Sequence, residues 1–326
     1  MNQLPAQYAA VPPEQLKRAV AALAERSGMP EAKNRFLADL LVQNDLRGVF
    51  SHGSRQIAAY ARIMRDGLIN PNPEVKVIDE TPATLLVDGD GGLGYFPAYR
   101  AAELLVEKCR ACGIAAAVTR NHGHIGAAGI YSRVLAEHDL IGYVTSGHQL
   151  DLSAEQSIMQ AAGGSPMSFA VPAGDAPAMV LDFGAMHDLY DDSPHRADVI
   201  RQTPGLVFRS MGLGFMCQAL GGFLAGVPVE RERAARSYEG ANQGSLIIAL
   251  DAAKFGSLDA FKHEMDRYMQ LAAEMRPLPG FDRAVLPGVL EAERERAWGT
   301  DGIPVGEEHR SVLEQAAREF GLELDF

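Results

Sequence analysis

The chain has 326 residues, 47% of them apolar, 22% charged and 33 of them glycine, a composition that fits a globular protein with a sizeable core and excludes a disordered or fibrous one. A formal net charge of −12, with no block of lysine and arginine, argues against nucleic acid and anionic membrane as partners. No stretch approaches the roughly eighteen uninterrupted apolar residues of a membrane span. Residues 1–16 also lack a basic-then-apolar signal pattern, so the cytoplasm is the expected location.

Pro12-Pro13-Glu14 opens a helix that runs to about Ser27, with Leu16, Val20 and Leu23 at three- and four-residue spacing, and Gly28-Met29-Pro30 stops it. A second helix over 30–46 places Phe36, Leu37, Leu40 and Leu41 on one face. It gives way to the polar turn Ser51-His52-Gly53. There a histidine, the side chain best suited to proton transfer near neutral pH, lies between a hydroxyl and a glycine. A third helix over 57–66 closes at Gly67, which makes residues 1–74 a helical lobe.

Asn70-Pro71-Asn72-Pro73 breaks that pattern, and residues 75–78 and 83–88 alternate as strands. Gly89-Asp90-Gly91-Gly92-Leu93-Gly94 is formally a GxGxxG between a strand and a helix over 97–112. It reads either as a phosphate loop or as a turn in another architecture. The missing carboxylate about twenty residues on, and an upstream pattern of hairpins, favour the second reading. Cys109 and Cys112 form a CxxC without a second pair and inside that helix, so they are expected to be structural.

A strand over 114–119 leads to Asn121-His122-Gly123-His124-Ile125-Gly126-Ala127-Ala128-Gly129, whose small residues at the start of a helix over 127–138 admit a close ligand. Its two histidines lack cysteine or carboxylate partners, and no metal is expected. Strands follow over 140–144, 167–171 and 178–182. Asp182, Asp188, Asp191 and Asp192 then cluster with His187 and His195, either as a solvated loop or as a carboxylate for an imidazole. Arg209 to Gly214 reads as the small-residue entrance of a helix over 215–224, where a cation meets an anionic ligand. A strand over 245–250 and helices over 258–275, 289–298 and 312–320 complete the chain. The expected fold is α/β (α+β): a helical lobe from 1–74 with 257–326 packed onto it, and a sheet-based domain over 75–256.

Several motifs, in order, carry a resemblance. They are Asp45 to Gly53, Tyr60, Gly67-Leu68-Ile69-Asn70-Pro71, Val87-Asp88-Gly89 with Gly92-Leu93-Gly94, and the Asn121 to Gly129 stretch. Gly212-Leu213, Asn242-Gln243-Gly244, Leu286-Pro287-Gly288 and Asp301-Gly302-Ile303-Pro304 continue the series. Over nearly its whole length the chain resembles the malate/L-lactate dehydrogenase family of the second type, which is unrelated to Rossmann-type lactate dehydrogenases. The resemblance implies a cofactor domain on a largely antiparallel sheet, a homodimer or higher assembly, and hydride transfer between NAD or NADP and a small hydroxy, oxo or cyclic imino carboxylate.

By the same resemblance His52 is the general acid/base with Ser51 beside it, and His124 a second proton-accepting histidine at the cofactor. Ile125, Gly126, Ala127, Ala128, Asp182, Phe183, Gly184, Arg209, Pro287 and Gly288 line the cofactor, and Asp192 is the carboxylate that fixes an imidazole. Arg47, Arg55, Gln56 and Thr145 face the small carboxylate substrate. The chain departs from the family where a substrate-gripping arginine is usual four residues after His52, for Gln56 stands there and makes no bidentate charged contact. The family's Gly-Thr-Asn-Pro is reduced to Gly164-Ser165-Pro166, its cofactor-side lysine is Arg209, and the loop between Asp192 and Arg209 is short. Arg120, at a strand end, is a cation of the kind that meets a 2′-phosphate. The alternatives are a non-redox acid-base enzyme on the same scaffold (lyase, epimerase or hydrolase) and a non-catalytic homologue.

Overall fold

The computed structural model describes residues 4–324, which divide into two compact units, 4–73 with 272–324 and 74–271. The first unit opens with strand β1 (Tyr8–Val11) and helix α1 (Pro13–Arg26), whose ring at Pro13 presets the first helical φ. Leu16, Val20 and Leu23 are fully buried, as their spacing predicts, and Ser27 ends the helix by donating from Oγ to the Leu23 carbonyl at 2.7 Å. Helix α2 (Glu31–Leu46) buries Leu37, Leu40 and Leu41 along with three polar residues, Asn34, Asn44 and Asp45. Helix α3 (Ile57–Arg65) buries Ile57, Tyr60, Ala61 and Met64.

The second unit is built on seven strands. β2 (Lys76–Glu80) and β3 (Thr84–Asp88) form the expected hairpin. Helix α4 (Tyr95–Cys112) then returns the chain to β4 (Ile114–His122), which pairs parallel with β3. A β-α-β crossover therefore does surround the glycine loop, contrary to the expectation of hairpins alone. Helix α5 (Gly129–Ala136) leads to β5 (Leu140–His148), then to β6 (Pro166–Val171) and β7 (Met179–Gly184). After α6 (Arg196–Gln202) comes α7 (Pro204–Cys217), followed by a π-helical turn over Gln218–Phe223. β8 (Gln243–Asp251) runs back between β4 and β5, giving the order β2-β3-β4-β8-β5-β6-β7, with every pair except β3-β4 antiparallel. Ala117, Val144, Ile247 and Ala249 in the central strands are fully buried.

Helix α8 (Leu258–Ala273) belongs with the sheet and not with the terminal helices as expected. Lys262 pairs with Asp139 at 2.7 Å, and Asp266 accepts the backbone N–H groups of Gly174, Asp175 and Ala176. The chain then returns to the first unit through α9 (Val289–Asp301), β9 (Ile303–Gly306) and α10 (Glu307–Glu319). β9 pairs antiparallel with β1, a ribbon that four-residue strands left invisible in the sequence.

The helix expected over 215–224 starts earlier, because Pro204 supplies an N-terminal turn, and so Arg209, Gly212 and Gly214 lie inside α7 and not at its entrance. Glycines here serve close packing. A Cβ on Gly221 would lie 2.4 Å from the Ser146 carbonyl carbon and 2.6 Å from the Gly147 nitrogen, backbone atoms that have no room to yield. Gly221→Ala is expected to destabilise the protein by about 2 kcal/mol, read as a lowered urea midpoint.

Candidate active site

The helical unit carries the histidine turn. Gly48, at φ 75°, takes the chain out of α2, and two 3-10 turns, Phe50–His52 and Ser54–Gln56, carry it to α3. Polar bonds brace it: Asn44 Nδ2 donates to the His52 carbonyl at 2.9 Å, Ser54 N–H to Asp45 Oδ2 at 2.8 Å, and Gln56 Nε2 to the Ser51 carbonyl. Ser51 Oγ lies 2.9 Å from His52 Nδ1. The imidazole is half-buried, and that burial lowers its pKa below the ordinary 6.5. At neutral pH His52 is thus mainly an uncharged ring, in the state that accepts a proton.

Beneath the turn is a group that motif reading assigned no role. Asp45 is fully buried, and burial pushes its carboxyl up to about 7 despite the opposing hydrogen bonds from Ser54. Its Oδ1 has no hydrogen-bond partner among the described residues. A Cβ at Gly53 would stand 1.8 Å from that oxygen, which is the reason a glycine follows His52. Ser54 Oγ in turn lies 2.8 Å from His309 Nε2 on α10, and burial, with the Arg55 charge adding to it, takes His309 down to about 4. The sequence does hold a signal for this network: Asp45 falls four residues after Leu41 and eight after Leu37, on the apolar face of α2.

The expected substrate residues divide. Arg47 is buried, and its guanidinium makes a two-pronged bond to Glu295 of α9 at 3.0 and 3.1 Å, so it clamps helices in place of facing a ligand. Gln56 braces Ser51, and Arg55 is part-exposed with Glu308 at 3.1 Å. Thr145, in the sheet unit, is fully buried and donates to the Pro166 carbonyl at 2.8 Å, a strand-to-strand bond that removes it from a substrate role. Pro287 and Gly288 lead into α9, with Gly288 capping it at φ 87°.

In the sheet unit the GxGxxG has no open cradle. A Cβ on Gly89 would meet the His122 side chain at 2.7 Å, one on Gly91 the Tyr238 ring at 2.2 Å, and one on Gly94 Ile125, the Gly123 carbonyl and His122 at 2.6 to 2.7 Å. Protein atoms fill the space a pyrophosphate needs, and the turn is structural. His122 is its bolt, fully buried, with Nε2 at 2.7 Å from Thr119 Oγ1 and Nδ1 donating to the Gly123 carbonyl, and burial lowers it to about 4. His124 is the half-exposed member of 122–129, whereas Ile125, Ala127 and Ala128 are buried and offer backbone alone.

Two expected cofactor elements, the 124–129 loop and the end of β7, do come together in this unit. A Cβ on Gly129, the first residue of α5, would lie 2.5 Å from Asp182 Oδ2, so the 124–129 loop touches the end of β7. Ser165 Oγ accepts the Met186 N–H at 3.1 Å, which ties Gly164-Ser165-Pro166 to the same segment. Val207 and Met211 of α7 pack with Met186, Leu189 and Ala162, and Arg209, two residues from each, is exposed on the far side of that helix. Beside Met186 a cavity of about 300 Å³ is bounded by Gly163, Gly164, Tyr190 and Arg196. Its lining includes none of the expected cofactor residues 124–128, 182–184 or Arg209. Asp192 does not take part: it is exposed in a turn and among the described residues pairs with no histidine. In the acidic cluster Asp191 pairs instead with Arg196 at 3.1 Å.

Residues 11–186 and 200–314 match the model of the malate/L-lactate dehydrogenase family. The chain belongs to that family. The L-sulfolactate dehydrogenase of Methanocaldococcus jannaschii is 27% identical over 96% of this chain and 98% of its own. The malate dehydrogenase of Pyrococcus horikoshii is also 27% identical, over 97% of each. The solved structure of the latter superposes with a TM-score of 0.84 at 25% identity, covering 99% of both chains. The family match passes over 187–199, the stretch that supplies Leu189, Tyr190, Asp191 and Arg196 to the cavity. The matched residues include the histidine turn.

Proposed function

We propose that this family member is an NAD(P)-dependent oxidoreductase of small 2-hydroxy, 2-oxo or cyclic imino acids, with His52 as general acid/base. The observation that carries the assignment is a half-buried, predominantly neutral imidazole, braced on its own backbone by Asn44 and on its neighbours by Asp45 and Gln56. A bound nicotinamide supplies the hydride acceptor or donor. His52 takes the proton of the substrate hydroxyl or amine as it is oxidised and returns it in reduction, while Ser51 on Nδ1 fixes the ring's orientation. His124 and the backbone of Ile125, Gly126, Ala127 and Ala128, with Asp182, Phe183 and Gly184, hold the cofactor, and Arg209 meets its phosphate charge. With Arg47 held by Glu295 and Gln56 neutral, Arg55 is the cation for the substrate carboxylate. NAD and NADP are both admitted.

The expected location is the cytoplasm and the expected assembly a homodimer. α7 and the turn after it expose Phe208, Leu213, Met216, Phe223 and Leu224, an apolar face suited to a second copy. Sedimentation at twice the chain mass is the expected result. The redox assignment is tested by following cofactor fluorescence as NADH or NADPH is titrated with protein. Saturable binding of one is expected, and no binding of either at millimolar cofactor would sink it.

A further inference from the structure

The histidine turn is held by groups brought from the other end of the chain. Phe50, two residues before His52, stacks on Trp298 of α9 with ring centroids 5.9 Å apart, and lies edge-on to the His309 ring of α10 at 6.4 Å. Ser54, two residues after His52, is fully buried and is held from two sides. Its N–H donates to Asp45 Oδ2, its hydroxyl bonds the same carboxyl, and its Oγ lies 2.8 Å from His309 Nε2. His309 therefore meets the turn on both sides of His52.

The surroundings of His309 keep it uncharged. It is buried, it stands in the first turn of α10, where the helix dipole disfavours a cation, and the Arg55 charge acts on it in the same sense. Glu307, Glu308 and Arg310 beside it on α10 are exposed, and Glu308 pairs with Arg55 at 3.1 Å. From α2 the facing group is Asp45, with the Ser54 hydroxyl bonded to both. A neutral imidazole has one donor and one acceptor nitrogen, so Nε2 bonds the hydroxyl in either tautomer, and Asp45 holds the serine from the other side. We propose that His309 is a positioning residue for the reaction at His52: through Ser54 and Phe50 it fixes the turn that presents the imidazole to the substrate. This rests on His52 being the acid/base group.

The test reads the turn before it reads turnover, and so stands apart from the redox assignment. Ring C–H NMR of the histidines in the full chain follows the His52 titration, its signal identified by its loss in His52→Ala. In the parent, burial holds that titration below 6.5. In His309→Leu, which fills the space but makes no hydrogen bond, it is expected to move towards 6.5 as the turn loosens. Ser54→Ala, which keeps the N–H bond to Asp45, is expected to do the same. His309→Gln places an amide that donates or accepts near the site of Nε2, and is expected to restore the parent titration. In nicotinamide-dependent turnover, His309→Leu and Ser54→Ala are each expected to lose about tenfold in kcat, with KM within about twofold. The double variant loses no more than the larger single one, because both act through one contact. A residue that only stabilises the fold gives a lowered urea midpoint with unchanged His52 titration and kcat, and that result overturns the proposal. So does a His309→Gln variant no better than His309→Leu. If His309→Leu does not fold, Ser54→Ala decides by the same readings. If the parent shows no nicotinamide-dependent turnover the redox assignment falls, and the His52 titrations still decide whether His309 holds the turn.

Discussion

His52→Ala is expected to lower kcat by 10²- to 10⁴-fold, the usual scale of a lost general acid/base, while cofactor affinity stays within about twofold. The split follows from placement: the imidazole belongs to the helical unit's turn, and the proposed nucleotide contacts of the sheet unit do not involve it. The pH dependence has a determined sign. Burial lowers the His52 pKa below 6.5, so oxidation, which needs the neutral ring, is flat near neutrality and declines only as pH falls below that value. Reduction needs the protonated ring and slows as pH rises through the same pKa. Ser51→Ala, which removes the bond to Nδ1, is expected to cost less, about tenfold. Stopped-flow rates in both directions check this, and an acid limb that survives in His52→Ala assigns the proton transfer elsewhere.

Gly53→Ala is expected to destabilise the helical unit by on the order of 3 kcal/mol and to abolish turnover, because the new methyl would occupy the position of Asp45 Oδ1, in a wall with no exposure. Asp45 itself gives a test with a different signature. Its folded carboxyl titrates at about 7 against an ordinary 3.8, so the folded state holds a proton that the unfolded state has released. Stability from this group is full below about pH 4, declines as pH rises to about 7, and is level above, by on the order of 4 kcal/mol in all. Asp45→Asn keeps an acceptor for the Ser54 N–H and cannot ionise, so it removes that slope. Urea midpoints at about pH 5 and about pH 8 are expected to converge in the variant and to differ in the parent. A parent with no such difference means that Asp45 is solvated.

The sequence made the helices, the strands and the histidine turn legible because periodicity and capping are local. α1 to α3 begin and end within a residue or two of where Pro13, Gly28 and Gly67 punctuate the chain. What stayed hidden depends on partners distant in sequence. Arg47 looks like a substrate cation until Glu295, 248 residues on, is seen to hold it. The missing carboxylate already favours a turn over a phosphate loop at the GxGxxG, but the cause, Tyr238 and His122 in its hollows, is not visible in the sequence. Glycines at 212 and 214 mimic a helix start for a local reason, whereas Gly214 lets the helix that holds Arg209 lie close to Ala162 and Gly212 meets nothing within 4 Å.

The ribbon of β1 and β9 has a consequence for how the chain acquires its fold during synthesis. The sheet unit is one contiguous stretch, 74–271, whereas the helical unit needs both 1–73 and 272–326. A ribosome delivers the whole of the former before the C-terminal part of the latter exists. Until residues 303–306 emerge, β1 has no strand beside it, and until α9 and α10 follow, Arg47 and Ser54 lack Glu295 and His309. The histidine turn thus gains its last partner only at the end, and a chain stalled short of α10 carries a finished sheet with Ser54 not yet bonded to His309.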